Sequence, residues 1–237
     1  MTDEEYIKKY LEEDKLEEGL KKLKNGLPVQ YIVGNVNFYG IELKVNKNVL
    51  IPRFETEYLV QKTIQYAKKY LKEPLKIIDL GTGSGAIAIA LKKHLKSAVY
   101  AVDISEKALK VAKENALNNN LNINFIKSNM LEKAHGKYDI IISNPPYISK
   151  DDIVEDIVKN NEPHIALYAK NEGLEFYESI LKKAESHINK PGIIAFEIGM
   201  TQGNKVKSLA KRYLKKIEIS IEKDLTGKDR YIFIFIK

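Results

Sequence analysis

From Leu75 onward the chain alternates short apolar runs with helical stretches. "LKIIDLG" gives way to "GAIAIALKKHL", "AVYAVDIS" to "EKALKVAKENALNNN", and "INFIKS" leads to "YDIIISNPPY". A helical stretch near 173–189, the run "GIIAFEIG" and a further helix near 202–214 continue the rhythm. Strands that alternate with helices pair in parallel, because each crossover helix covers a face of the sheet. The last two apolar runs, "KKIEISIEKD" and "RYIFIFIK", break the rule, with only "LTGK" between them. So short a link cannot make a crossover, and the two runs must form an antiparallel hairpin. The expected fold is α/β: a doubly wound, mostly parallel sheet ending in an antiparallel hairpin.

Ahead of this unit, residues 2–24 place Tyr6, Ile7, Tyr10, Leu11, Leu16, Leu20 and Leu23 on a helical period. They predict a single helix, ended by Asn25-Gly26. "NVNFYGIELKV" alternates apolar and polar residues around Gly40 and predicts a β-hairpin at about 35–45. "PRFETEYLVQKTIQYAKKYL" is helical from about Phe54 to Leu71, and Pro74 breaks the pattern.

Composition removes several classes of function. The 237 residues include no cysteine, which excludes disulfides, thiolate metal sites and a cysteine nucleophile. His94, His135, His164 and His187 show no ligand spacing and no nucleophile partner, so no metal is expected. No apolar run is long enough to span a bilayer, and residues 1–15 carry no signal-peptide pattern, so a cytoplasmic protein is expected. The formal charge is +7, yet only Arg53, Arg212 and Arg230 are arginine. The lysines lie along amphipathic stretches, often beside glutamate, and read as solvated helix faces rather than a nucleic-acid patch.

"IIDLGTGSGAIAIAL" sets Gly81, Gly83 and Gly85 between the first strand of the α/β unit and its helix. Glycine there lets the backbone turn sharply and come close to a ligand. The spacing is neither the dinucleotide fingerprint nor a phosphate loop, since no lysine follows. Asp79 precedes the loop, and Asp103 closes the next strand, where an acid can accept both hydroxyls of a ribose. An adenosine cofactor without an extended phosphate cradle is expected: S-adenosyl-L-methionine rather than NAD.

"YDIIISNPPYIS" runs a buried-looking strand into two prolines, which cannot continue a ladder. Asn144 offers a side-chain acceptor, Pro145 a carbonyl outside any ladder, and Tyr147 an aromatic face. Two rigid acceptors can grip an –NH2 group on a planar system, and the ring can cover it. Such a nitrogen is a poor nucleophile because its lone pair is delocalised. Acceptors on its protons return density to it, increasingly so as positive charge develops.

"NPPY" after "DIIIS", with "DLGTGSGAIAIAL" upstream, resembles the amino methyltransferases of nucleic acids and of glutamine. "GLPVQYIVGNVNFYG", "VLIPRFETEYLV", "EPHIALYAKNEGLEFY", "FEIGMTQG" and "DLTGKDRYI" narrow this to a resemblance to the HemK-type peptide chain release factor glutamine N5-methyltransferases, from about Gly26 to the C-terminus. The resemblance implies a class I S-adenosylmethionine-dependent methyltransferase with a Rossmann-like sheet. It implies methyl transfer to the glutamine of a Gly-Gly-Gln loop in class I release factors, by a monomer with no stable nucleic-acid partner and no membrane. Gly81, Thr82, Gly83, Ser84 and Gly85 would hold the methionine and ribose part of the cofactor, and Asp103 the ribose. Asn144 would grip substrate amide and cofactor edge, while Pro145, Pro146 and Tyr147 shape the glutamine slot. Arg53, Glu55 and Glu57 fall in the segment that closes the cleft, as cleft residues or as an ion-pair network. Glu197 is a pocket residue or a hydrogen-bond anchor.

The chain departs from the family pattern in three places. Residues 1–48 form a shortened N-terminal region, a helix and a hairpin expected to dock substrate, ahead of a catalytic domain at 49–237. Phe54 stands where a second proline is usual. Ser128-Asn129-Met130 stands where the family often has Asp and a large apolar residue, leaving Asn129 to meet the adenine edge. Two alternatives remain from the residues: a nucleic-acid amino methyltransferase acting on adenine or guanine, with a flipped base on Tyr147, and a non-catalytic cofactor-binding interaction protein.

Overall fold

The structure is a computed structural model and describes residues 2–237; Met1, the first residue of the expected N-terminal region, lies outside the described residues. The strands are β1 (Asn35–Phe38), β2 (Ile41–Lys44), β3 (Leu75–Leu80), β4 (Ser97–Asp103), β5 (Asn124–Lys127), β6 (Tyr138–Ser143), β7 (Ile188–Glu197), β8 (Ile217–Lys223) and β9 (Asp229–Ile236). Seven of them form one sheet in the order β5-β4-β3-β6-β7-β9-β8. β9 runs antiparallel to both β7 and β8, and the other pairs are parallel. The chain steps outward from β3 through β4 to β5, then returns to β6 on the other side of β3. This reversal opens a crevice at the carboxyl ends of β3, β4 and β6.

The two faces of the sheet are filled by residues of opposite parity. Ile77, Ile140, Ile142 and Ile193 pack with the helices Phe54–Tyr70 and Ala86–His94. Ile78, Leu80, Ile141 and Ile194 pack with the helices Glu175–His187 and Gly203–Tyr213. Central strands covered on both sides read as unbroken apolar runs, and each buried isoleucine contributes about 1.5–3 kcal/mol.

The N-terminal stretch folds as two helices where periodicity predicts one. Asp3–Tyr10 starts at a Thr2–Glu5 capping box and stops at Leu11, whose backbone is extended. A single 3-10 turn, Glu13–Lys15, then leads into Leu16–Lys24. Folding back brings Leu11 and Ile7 onto Gly19. A Cβ there would lie 2.6 Å from Leu11 Cδ1. The apolar period continues across the break, so it could not reveal the reversal.

The β1–β2 hairpin turns at Tyr39-Gly40, both at positive φ. Phe38, Ile41 and Leu43 enter the core beneath the sheet. Asn115, on the helix Glu106–Asn118, ties the hairpin to the glycine loop. Its Oδ1 accepts from Lys44 N–H at 2.7 Å, and its Nδ2 donates to the carbonyls of Lys44 and Ser84 at 2.9 Å.

Candidate active site

The loop leaving β3 is pinned to β4. The N–H groups of Gly81 and Thr82 both donate to the Val102 carbonyl at 2.8 Å. Gly83 N–H donates to Asp103 Oδ2 at 2.9 Å, and Ser105 N–H donates to Asp103 Oδ1 at 2.8 Å. Burial raises the Asp103 carboxyl above its usual range, and these backbone bonds oppose the rise. Gly81, Gly83 and Gly85 all have positive φ, but they serve different ends. A Cβ on Gly83 would meet no heavy atom within 4 Å, so that side of the loop is open. A Cβ on Gly85 would press on Ala112 at 3.2 Å, so Gly85 serves helix packing. Thr82 Oγ1 donates to Asp79 Oδ2 at 2.6 Å, and Asp79 Oδ1 has no partner among the described residues. Burial pushes the Asp79 carboxyl up to about 7.

A cleft of about 750 Å³, counting its open mouth, lies against this loop. Gly81, Gly83, Asp103, Asn129, Asn144 and Pro146 line it, whereas Thr82, Ser84, Gly85, Pro145 and Tyr147 do not. Met130 stands beside Asn129, whose Nδ2 donates to Glu132 Oε1 at 3.1 Å. Two straps, 48–50 and the stretch around Pro163–Ala166, close the far wall.

A smaller cavity of about 440 Å³, again counting its open mouth, opens beside the cleft, lined by Pro145, Tyr147, Arg53 and Glu197. Leu50, Asn144 and Ala166 line both spaces. Ser143 Oγ donates to the Leu80 carbonyl at 2.6 Å, fixing the end of β6 to β3 just before the corner. Asn144 Nδ2 donates to Thr56 Oγ1 at 3.1 Å, and Thr56 Oγ1 donates to Glu197 Oε2 at 2.7 Å. Burial pushes the Glu197 carboxyl up to about 7, with the Thr56 bond and the Arg230 charge opposing. Burial and the nearby Glu197 charge push the Tyr147 phenol up to about 12, so it stays protonated at neutral pH. Among the described residues, no hydrogen bond reaches Asn144 Oδ1 or the Pro145 carbonyl. Both acceptors are free for a ligand.

Several residues that sequence motifs left unassigned hold this corner. Gln202 Nε2 donates to the Tyr147 carbonyl at 2.9 Å, and Gln202 Oε1 accepts from Gly199 N–H at 2.9 Å. Gly173 is needed because a Cβ there would sit 2.0 Å from the Tyr147 carbonyl oxygen. Glu162 is buried, pairs with Arg53 and accepts from Ile51 N–H at 3.1 Å, locking the two straps together. Glu57 accepts from Tyr39 N–H at 2.9 Å, and the Glu55 carbonyl accepts from Tyr231 OH at 2.7 Å. The blocks "IPRFETE" and "FEIGMTQG" contain Thr56 and Gln202, but nothing local signals their partners. Among the described residues, no group of three His, Asp or Glu could hold a metal, and no helix is long and apolar enough to cross a membrane.

The family model of the methyltransferase small domain matches residues 56–168. The release factor glutamine methyltransferase of Lactococcus lactis is 44% identical over 222 residues, covering 92% of this chain and 81% of the relative. That of Bacillus subtilis is 42% identical over 221 residues, covering 90% and 77%. Among solved structures, the ribosomal protein L11 methylase of Lactobacillus delbrueckii superposes with a TM-score of 0.57 at 24% identity, covering 82% of this chain and 84% of that one. The Thermus thermophilus 16S rRNA N2 G1207 methyltransferase, in complex with AdoMet and guanosine, gives 0.63 at 14% identity, covering 86% and 50%. Both structural likenesses are of fold.

Proposed function

The chain belongs to the family of release factor glutamine methyltransferases, and on that premise we propose that it transfers a methyl group from S-adenosyl-L-methionine to the side-chain amide nitrogen of the glutamine in the Gly-Gly-Gln loop of a class I release factor. The observation that carries this reading is the position of Asn144, which lines both the cleft beside the glycine loop and the smaller cavity of the corner.

The cleft fits the cofactor. Its glycine loop presents an open face at Gly83, its rim carries one carboxylate, and no lysine follows the loop to hold a phosphate. Gly81 and Gly83 would hold the methionine part by close backbone approach, Asp103 the ribose hydroxyls, and Asn129 with Met130 the adenine. Thr82, Ser84 and Gly85 support the loop from behind. Bound there, S-adenosyl-L-methionine supplies an electrophilic methyl group on a positively charged sulfur.

The smaller cavity takes the glutamine side chain. Asn144 Oδ1 and the Pro145 carbonyl accept the two amide protons, which orients the nitrogen and raises its electron density. Pro145 and Pro146 keep the two acceptors from relaxing, so little reorganisation accompanies transfer. Protonated Tyr147 covers the amide plane. Pre-positioning supplies much of the rate, as it does whenever a bimolecular step becomes effectively unimolecular. The proton lost from nitrogen passes to solvent, and no strong base is needed.

We place catalysis in residues 49–237 and substrate docking in residues 1–48, in a cytoplasmic monomer without a stable nucleic-acid partner. The test is incubation with labelled S-adenosyl-L-methionine and, separately, folded release factor, a short Gly-Gly-Gln peptide, DNA and RNA. Label is expected in the folded release factor, with little in the peptide, because binding away from the reacting amide positions it. Label in nucleic acid with none in release factor overturns the substrate assignment.

A further inference from the structure

A carboxamide is nearly symmetric in shape, and only its partners decide whether oxygen or –NH2 faces a substrate. The partners of Asn144 form a chain with one direction. Its Nδ2 donates to Thr56 Oγ1 at 3.1 Å, and Thr56 Oγ1 donates its one proton to Glu197 Oε2 at 2.7 Å. Thr56 and Glu197 are 5% and 2% exposed, so water substitutes for neither. A carboxylate can only accept. With Glu197 ionised, the Thr56 proton is therefore committed to Glu197, and the hydroxyl offers Asn144 only lone pairs. Asn144 can answer only with its –NH2 end, which leaves Oδ1 for the substrate.

We propose that Thr56, held by Glu197, is a positioning residue that sets the polarity of the Asn144 carboxamide, so that oxygen is the end that meets the substrate –NH2. The flipped carboxamide would set donor against donor and remove the acceptor whose bond strengthens as the nitrogen gains positive charge. The three residues come from separate elements: Thr56 from the first turn of the helix Phe54–Tyr70, Asn144 from the corner after β6, and Glu197 from the end of β7. Thr56 lines neither cavity, so it acts on substrate only through Asn144. This inference rests on the glutamine methyltransferase reading of the site.

The test compares Thr56→Val and Thr56→Ser in the full-length protein. With release factor as substrate, Thr56→Val should lower kcat about tenfold or more, while KM and the calorimetric affinity for S-adenosyl-L-methionine change less than about threefold. Thr56→Ser keeps the hydroxyl and should restore kcat to within about threefold of wild type. The Asn144 side-chain amide protons, assigned in NMR spectra by their loss in Asn144→Ala, report the same link without turnover. Their hydrogen-bonded signal should persist in Thr56→Ser and move in Thr56→Val. Normal turnover of Thr56→Val, or an Asn144 signal indifferent to the hydroxyl, overturns the proposal. If circular dichroism shows that Thr56→Val does not fold, Glu197→Gln replaces it. That variant gives Thr56 a donor, so it should shift the Asn144 signal and lower kcat; no change in either overturns the proposal. A wild-type protein that leaves release factor unmethylated overturns the substrate reading alone, because the NMR comparison still decides the polarity of Asn144.

Discussion

Asp103 Oδ2 holds the backbone N–H of Gly83 at 2.9 Å. The acid closing β4 thus fixes the shape of the glycine loop while standing on the rim of the cleft. Asp103→Ala should weaken S-adenosyl-L-methionine binding by about 1–3 kcal/mol, because ribose hydroxyls lose a charged acceptor and the loop loses its anchor. Titration calorimetry measures this, and unchanged affinity would remove Asp103 from the site.

The Asn144 side chain donates to Thr56, stands beside Glu197 and is only half-buried. Asn144→Ala should therefore fold normally and lower the methylation rate about 100-fold or more, as when a preorganised polar partner is removed. Near-normal turnover in a variant with an unchanged circular dichroism spectrum would sink the amide-grip mechanism.

Turnover should rise with pH through the titration of Glu197, near 7. The group is faced by Thr56 and Glu55 from the helix Phe54–Tyr70, Asn144 and Tyr147 from the corner, Tyr177 from the helix Glu175–His187, and Arg230 and Tyr231 from β9. Deprotonated Glu197 can only accept and keeps the Thr56 proton. Protonated Glu197 can donate, freeing that proton for Asn144 Oδ1. In kcat–pH profiles, Glu197→Gln should flatten the rise. A slope that survives the substitution assigns the dependence to another group.

The Arg53–Glu162 pair joins the straps, with side chains 35% and 1% exposed. Arg53→Ala leaves Glu162 buried with only the Ile51 N–H, on its other oxygen, as a partner among the described residues. The expected destabilisation is about 1–3 kcal/mol, below that of a fully buried pair because Arg53 is partly solvated. Glu162→Gln in the Arg53→Ala background should recover part of it in denaturant titrations. If Arg53→Ala leaves the midpoint unmoved, the straps are not held by this pair.

The buried Asp79 binds its proton more tightly when folded than in the unfolded chain, because its carboxyl is raised from 3.8 to about 7. Its contribution to stability is therefore full below about pH 4 and is lost as pH rises to about 7, by up to about 4 kcal/mol. Asp79→Asn should remove this part of the slope in thermal melts between those pH values. An identical slope in the variant would mean that Asp79 is ionised throughout.

The strands from residue 75 onward, their crossover helices and their order were legible in the chain. Apolar runs, crossover helices and the short "LTGK" link are local facts, and they dictate a parallel sheet closed by an antiparallel hairpin. Positive-φ glycines and paired prolines are local too, since each answers a backbone requirement of its own position, and so the loop at Gly81–Gly85 and the corner at Asn144–Tyr147 were legible. Partner choice was not. Thr56 meets Asn144 across 88 residues and Glu197 across 141, and Arg53 meets Glu162 across 109. No periodicity encodes such pairs, because packing alone decides which side chains face one another at the sheet edge. The same holds where like residues diverge: Gly83 faces open space while Gly85 packs on Ala112. It holds again at the N-terminus, where the close approach of Leu11 to Gly19, and not the helical period, turns one expected helix into two.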